Sequence, residues 1–170
     1  MGTCIGRDDC RTYYKSIYDI SIEDIDGNEI KLSTFQNQVL LIVNVATYCG
    51  LTDKNYFQLE ELYEKYNSKG FNVIAFPCNQ FLFQEPREEA KIKAFVKSKG
   101  ARFILCKKTQ INGDKAHDLF KYLRQNSKLR GGRIGWNFGK FLVDKNGDIY
   151  NYYSPGTEPE AIKPDIERLI

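Results

Sequence analysis

Cys49 is the residue of this sequence best placed for covalent chemistry. It stands in Thr47-Tyr48-Cys49-Gly50-Leu51-Thr52, directly after an apolar run and just before a segment of helical periodicity. A thiol at a strand-to-helix junction faces unpaired amides and the positive end of the helix, an environment that favours the nucleophilic thiolate. Position alone leaves two readings open, because a cysteine is as readily a buried small hydrophobe as a nucleophile. Cys78 and Cys106 fall in or beside strand patterns, where buried structural thiols are common. The sequence holds five cysteines, and an odd number cannot pair off completely within one molecule. The sole histidine, His117, falls on a predicted helix with no histidine partner and no metal-ligand spacing, so a structural role is expected and no metal site.

Several elements must position Cys49. Val39 to Ala46 is a nearly continuous apolar run, the pattern of a central strand covered on both faces. Leu59, Leu62, Tyr63 and Tyr66 recur at helical spacing and Gly70 stands where helices commonly end, which predicts a helix over 53–69. Phe71 to Phe76 is a second buried-strand run, so strand, helix and strand follow in the order of a parallel right-handed crossover. Upstream, Ile20 to Phe35 alternates apolar and polar residues around Asp26-Gly27-Asn28 and reads as an opening hairpin. Downstream, Ile92, Phe95 and Val96 predict a helix, Phe103 to Cys106 a short strand, and Ala116, Leu119, Phe120 and Leu123 another helix. Phe141-Leu142-Val143 enters the turn Asp144 to Asp148 and pairs with Ile149 to Tyr153; Ile162, Ile166 and Leu169 mark a closing helix. The fold class is α/β.

With 170 residues, 42% apolar and 28% charged, the chain suits one domain with one core. The reading is a flexible segment over 1–16 followed by a single domain over 17–170. No apolar run approaches the length of a membrane span, and the polar start lacks the apolar core of a secretory signal, so a cytoplasmic location with reduced thiols is expected. Met1-Gly2 resembles the start of an acylation signal, but Gly6 stands where that signal needs Ser or Thr. Charge is uneven: residues 1–66 carry 6 basic and 11 acidic side chains, and residues 121–140 carry six basic groups and no acid. Within the second stretch Lys128, Arg130, Arg133 and Lys140 flank Trp136 and Asn137. Such a run is either a solvated face or a positive field that attracts an anionic partner.

Three blocks of the sequence closely resemble the glutathione peroxidases. Asn44 to Thr52 is similar to that family's nucleophile loop, Phe76 to Phe81 with Gln84-Glu85-Pro86 to its second block, and Trp136 to Phe141 to its third. They occur in the family's order, and the resemblance runs from about Ile17 to the C-terminus. It implies a thioredoxin-like fold, a central mixed sheet flanked by helices. It also implies a site of Cys49, Gln84, Trp136 and Asn137. Read alone, Trp136 is a core aromatic and Gln84 a loop residue; in the family's site their donors, with those of Asn137, stabilise negative sulfur without a competing acid. Many members carry selenocysteine at the position of Cys49.

The reaction implied is attack of the Cys49 thiolate on a peroxide oxygen, giving a sulfenic acid that a reducing thiol restores. Relatives that use thioredoxin usually carry a resolving cysteine where this chain has Lys97. That departure favours glutathione as the reducing co-substrate, with no bound cofactor. A second reading has thioredoxin reduce the enzyme through Cys78 or Cys106, and a third is a redox sensor or lipid-binding module with little turnover. The short segment from Leu123 to Trp136 resembles the monomeric phospholipid hydroperoxide type and implies an open site that meets a membrane surface transiently. Lys128, Arg130, Arg133 and Lys140 are the candidate substrate-binding residues, for glutathione or lipid phosphates rather than nucleic acid.

Overall fold

The computed structural model describes residues 11–170. The acylation reading, Cys4, Cys10 and most of the expected flexible segment lie outside the described residues. Residues 12–16 already join the domain: Thr12 N–H donates to Gln125 Oε1 at 3.1 Å and Tyr14 Oη to Asp118 Oδ2 at 3.3 Å.

The opening hairpin pairs β1 (Ser21–Glu23) with β2 (Glu29–Lys31) antiparallel. Asp24 sets its turn, its Oδ1 accepting from the amides of Asp26 and Asn28 at 2.9 and 2.8 Å. The alternation through Phe35 predicts a longer strand, but Leu32–Phe35 forms a 3-10 turn. That turn buries Leu32 and Phe35 together, which an extended strand would place on opposite faces.

The main sheet has β3 (Val39–Val45), β4 (Phe71–Pro77), β5 (Ile104–Leu105), β6 (Lys140–Val143) and β7 (Ile149–Tyr153), in the order β5-β4-β3-β6-β7. β4 runs parallel to β3 and β5, whereas β6 is antiparallel to β3 and β7 to β6. Every residue of β3 is buried, as its apolar run requires of a strand covered on both faces. Leu40 and Ile42 face a core with α3 (Asp118–Gln125) and the opening hairpin. Val39, Leu41, Val43 and Val45 face a second core with α1 (Thr52–Tyr66), α2 (Glu89–Ser98) and α4 (Lys163–Leu169). α1 passes through a 3-10 turn into Gly70, whose φ of 87° closes the helix as only glycine does readily. α3 begins later than its apolar spacing suggests. His117 is its N-cap, and the ring Nδ1 accepts the Leu119 amide at 3.1 Å.

Cys49 follows the C-terminal end of β3, Gln84 follows that of β4, and Trp136-Asn137 precedes β6. Because β6 is antiparallel to β3, all three segments emerge at one end of the sheet. Ligands bind at that end in open α/β folds.

Candidate active site

The Cys49 loop is held by Thr52. Its buried hydroxyl donates to the Ala46 carbonyl at 2.7 Å and accepts the Cys49 amide at 3.2 Å, drawing the loop tightly into α1. Cys49 is partly exposed. Its Sγ accepts the Leu51 amide at 3.5 Å, so the sulfur sits against the first turn of α1.

Gln84 is joined to this loop through the backbone, its carbonyl accepting the Tyr48 amide at 3.0 Å. Its side chain reaches the third segment: Asn137 Nδ2 donates to Gln84 Oε1 at 2.8 Å. Asn137 is fully buried and its Oδ1 has no partner. The turn around it hangs on Asn44 of β3. Asn44 Nδ2 donates to the Trp136 carbonyl at 3.1 Å, and the Asn44 carbonyl accepts the Phe138 amide at 2.6 Å. Phe138 takes a φ of 67°, which reverses the chain so that Asn137 turns inward. Half-buried Trp136 packs on Phe81, ring centroids 5.8 Å apart. The structure thus brings Gln84 and Asn137 into contact and ties their segments to Cys49. Sγ is hydrogen-bonded to the α1 turn rather than to those amides.

The basic residues divide. Lys128, Arg130 and Arg133 are exposed after α3, and Arg133 lines a cavity with Lys108 and Lys115. Lys140 does not belong to that rim: it is fully buried, and its Nζ donates to the Phe138 carbonyl at 2.6 Å and the Pro155 carbonyl at 3.4 Å. Its place in β6 next to the reversed Phe138 turns the ammonium inward, and burial pulls its pKa down to about 7. Arg124 is likewise buried, its guanidinium spent on the carbonyls of Ile111, Gly131 and Gly132.

One acid of the second block has no role read from its sequence. Glu85 is fully buried; its Oε1 accepts the Thr47 hydroxyl at 2.6 Å, and its Oε2 has no partner. Burial pushes its carboxyl pKa up, opposed by the Thr47 hydrogen bond. The available signal was its position directly after Gln84 within the second block, but nothing local links it to Thr47. Cys78 and Cys106 are fully buried, and burial raises the Cys78 thiol to about 11 and the Cys106 thiol further still.

Comparison with known proteins bears on the same elements. A family model described as glutathione peroxidase matches residues 17–124. The chain is 44% identical over 158 residues to a chloroplastic phospholipid hydroperoxide glutathione peroxidase 1 of Arabidopsis thaliana, covering 92% of this chain and 67% of that one. The crystal structure of GPX1 from T. cruzi superposes with a TM-score of 0.74 at 37% identity, over 91% of this chain and 96% of that one. A thioredoxin-family thiol:disulfide interchange protein from Chlorobium tepidum, at 13% identity and a TM-score of 0.68, covers 88% of this chain and 92% of that one and shares the fold alone. The fold is thioredoxin-like, and the chain belongs to the glutathione peroxidase family.

Proposed function

We propose that the chain is a thiol peroxidase that reduces hydrogen peroxide and organic or phospholipid hydroperoxides through Cys49, with glutathione as the reductant. The observation that carries this reading is the junction itself: Sγ accepts the Leu51 amide at the head of α1, in a loop tied through the Tyr48 amide to Gln84, whose side chain accepts from Asn137. The thiolate attacks the terminal peroxide oxygen, a sulfur–oxygen bond forms as the oxygen–oxygen bond breaks, and the alkoxide leaves as an alcohol after taking a proton. A first glutathione thiol displaces water from the sulfenic acid to give a mixed disulfide. A second releases the Cys49 thiolate and glutathione disulfide. The amides of Gln84 and Asn137 supply donors and acceptors for the oxygen in flight without a competing charge.

Glutathione carries net negative charge, and exposed Lys128 and Arg130, with Arg133, supply a favourable field. Burial of Cys78 and Cys106 weighs against an internal resolving thiol, because a buried, protonated thiol attacks slowly. We read the protein as a monomer acting in the cytoplasm. The deciding experiment is steady-state peroxide consumption by the parent and Cys49→Ser with glutathione and with thioredoxin. Turnover with glutathione that vanishes in the variant supports the reading, and turnover with thioredoxin alone overturns its choice of reductant.

A further inference from the structure

Arg87 holds its charge over an aromatic ring instead of against an acid. Its guanidinium carbon lies 4.8 Å from the centroid of the Tyr48 ring, and Tyr48 directly precedes Cys49. Among the described residues no carboxylate forms an ion pair with Arg87, although Lys54, Lys93 and Arg102 each have one. Buried Glu85 feels the Arg87 field, but its carboxylate turns inward onto the Thr47 hydroxyl. Tyr48 is 51% exposed and Arg87 half-buried, so the pair opens to solvent beside the nucleophile. A cation–π contact leaves the in-plane N–H donors of a guanidinium available, and that edge takes a carboxylate through two parallel hydrogen bonds.

The segment that bears Arg87 is fixed on both sides. Lys108 Nζ donates to the Arg87 carbonyl at 2.7 Å and to the Glu85 carbonyl at 3.4 Å, and Pro86 between them has its φ set by its own ring. The Gln84 carbonyl holds the Tyr48 amide at 3.0 Å, and Glu85 Oε1 holds the Thr47 hydroxyl at 2.6 Å. The 84–87 segment is thereby tied to the loop that carries the sulfur. Held over Tyr48, the Arg87 side chain has less freedom left to lose when an anion arrives.

We propose that Arg87, held over Tyr48, seats the glycyl carboxylate of glutathione while the glutathione thiol reacts at Cys49. The proposal rests on the peroxidase reading with glutathione as reductant. Glutathione carries its thiol on the central residue and a carboxylate at each end. The γ-glutamyl carboxylate shares its carbon with an ammonium that offsets its charge, whereas the glycyl carboxylate has no such neighbour. Consecutive Cα atoms lie about 3.8 Å apart, so the step from the glutathione cysteine to its glycine matches the step from Cys49 to Tyr48. A neutral hydroperoxide has no charge for Arg87 to meet, which assigns the pair to the reductive half of the cycle. Lys128 and Arg130, exposed after α3, supply a field; Arg87 supplies a contact.

The test isolates the reductive step. Cys49 of the full chain is oxidised with one equivalent of hydrogen peroxide, and its reduction is followed by stopped flow with glutathione and with glutathione glycyl ethyl ester, which differs only at that carboxylate. The parent should react with glutathione about tenfold faster than with the ester, and the advantage should shrink as salt rises. Arg87→Gln should bring the two rates together by slowing glutathione alone. Tyr48→Leu should remove part of the preference, and Tyr48→Phe, which keeps an aromatic face, should retain it. Each protein is its own reference, so a variant that had only lost folded fraction would slow both thiols equally. An unchanged preference in Arg87→Gln overturns the proposal, including the case where Arg130→Gln abolishes the preference instead. A parent that reacts equally with both thiols overturns the subsite and leaves glutathione as the reductant. A parent that glutathione does not reduce overturns the choice of reductant and the subsite together.

Discussion

Asn137 Nδ2 donates to Gln84 Oε1 at 2.8 Å, although 53 positions separate the two residues. The direction of donation matters. It engages the Gln84 carbonyl oxygen and leaves the Gln84 amide N–H groups as the donors that the proposed peroxidase chemistry calls for.

The pair should therefore behave as one unit. Hydrogen bonds to charged groups are worth roughly 1.5–3 kcal/mol, so Gln84→Ala or Asn137→Ala should slow Cys49 oxidation by about ten- to a hundredfold in stopped-flow traces. The double variant should be little slower than the slower single, because each change already breaks the shared bond. Additive losses would mean that the two amides act separately.

Cys49→Ser should lose peroxide turnover and keep the parent's thermal unfolding transition. The side chain is partly exposed and the exchange nearly isosteric. Retained activity in this variant would remove Cys49 from the mechanism.

One equivalent of peroxide should leave Cys49 as a sulfenic acid or trapped adduct in intact-mass spectra. A stoichiometric disulfide to Cys78 or Cys106 would require buried thiols to come out of the core, and its appearance, with fastest reduction by thioredoxin, would establish thioredoxin-type resolution.

Lys140 should impose a slope on stability. Its pKa is about 7 in the folded protein and about 10.4 in an unfolded chain, so between those values the unfolded chain holds the extra proton. The contribution is in place above the unfolded value and is lost as pH falls toward 7. Relative to Lys140→Met, the parent should gain stability from pH 7 to about pH 9 in denaturant titrations, and parallel curves would refute the assignment.

Thr47→Val should destabilise the fold by about 1–3 kcal/mol at neutral pH, since it strands the buried Glu85 carboxylate. The folded pKa of Glu85 is raised, so its favourable contribution is present below the unfolded value and is lost as pH rises through the folded one. The variant should recover toward about pH 4, and adding Glu85→Gln should restore part of the loss at neutral pH. A deficit independent of pH would show that Thr47 acts by packing alone.

The succession β3, α1, β4 and the place of Cys49 at the strand-to-helix junction are legible in local patterns of the chain. Apolar runs, helical spacing and Gly70 are local patterns that each element must satisfy whatever surrounds it. Motif resemblance singled out Gln84, Trp136 and Asn137. Tertiary structure alone decided which polar groups face each other. The bond between Asn137 and Gln84, the burial of Glu85 under Thr47 and the cation-lined cavity beside Leu82 all join segments distant in sequence. Lys140 shows the limit most clearly. Among neighbouring basic residues it reads as one more surface charge, yet its β6 position between β3 and β7 turns the ammonium onto the Phe138 carbonyl. A lysine's charge is written in the sequence; whether water reaches it depends on which strands close over it.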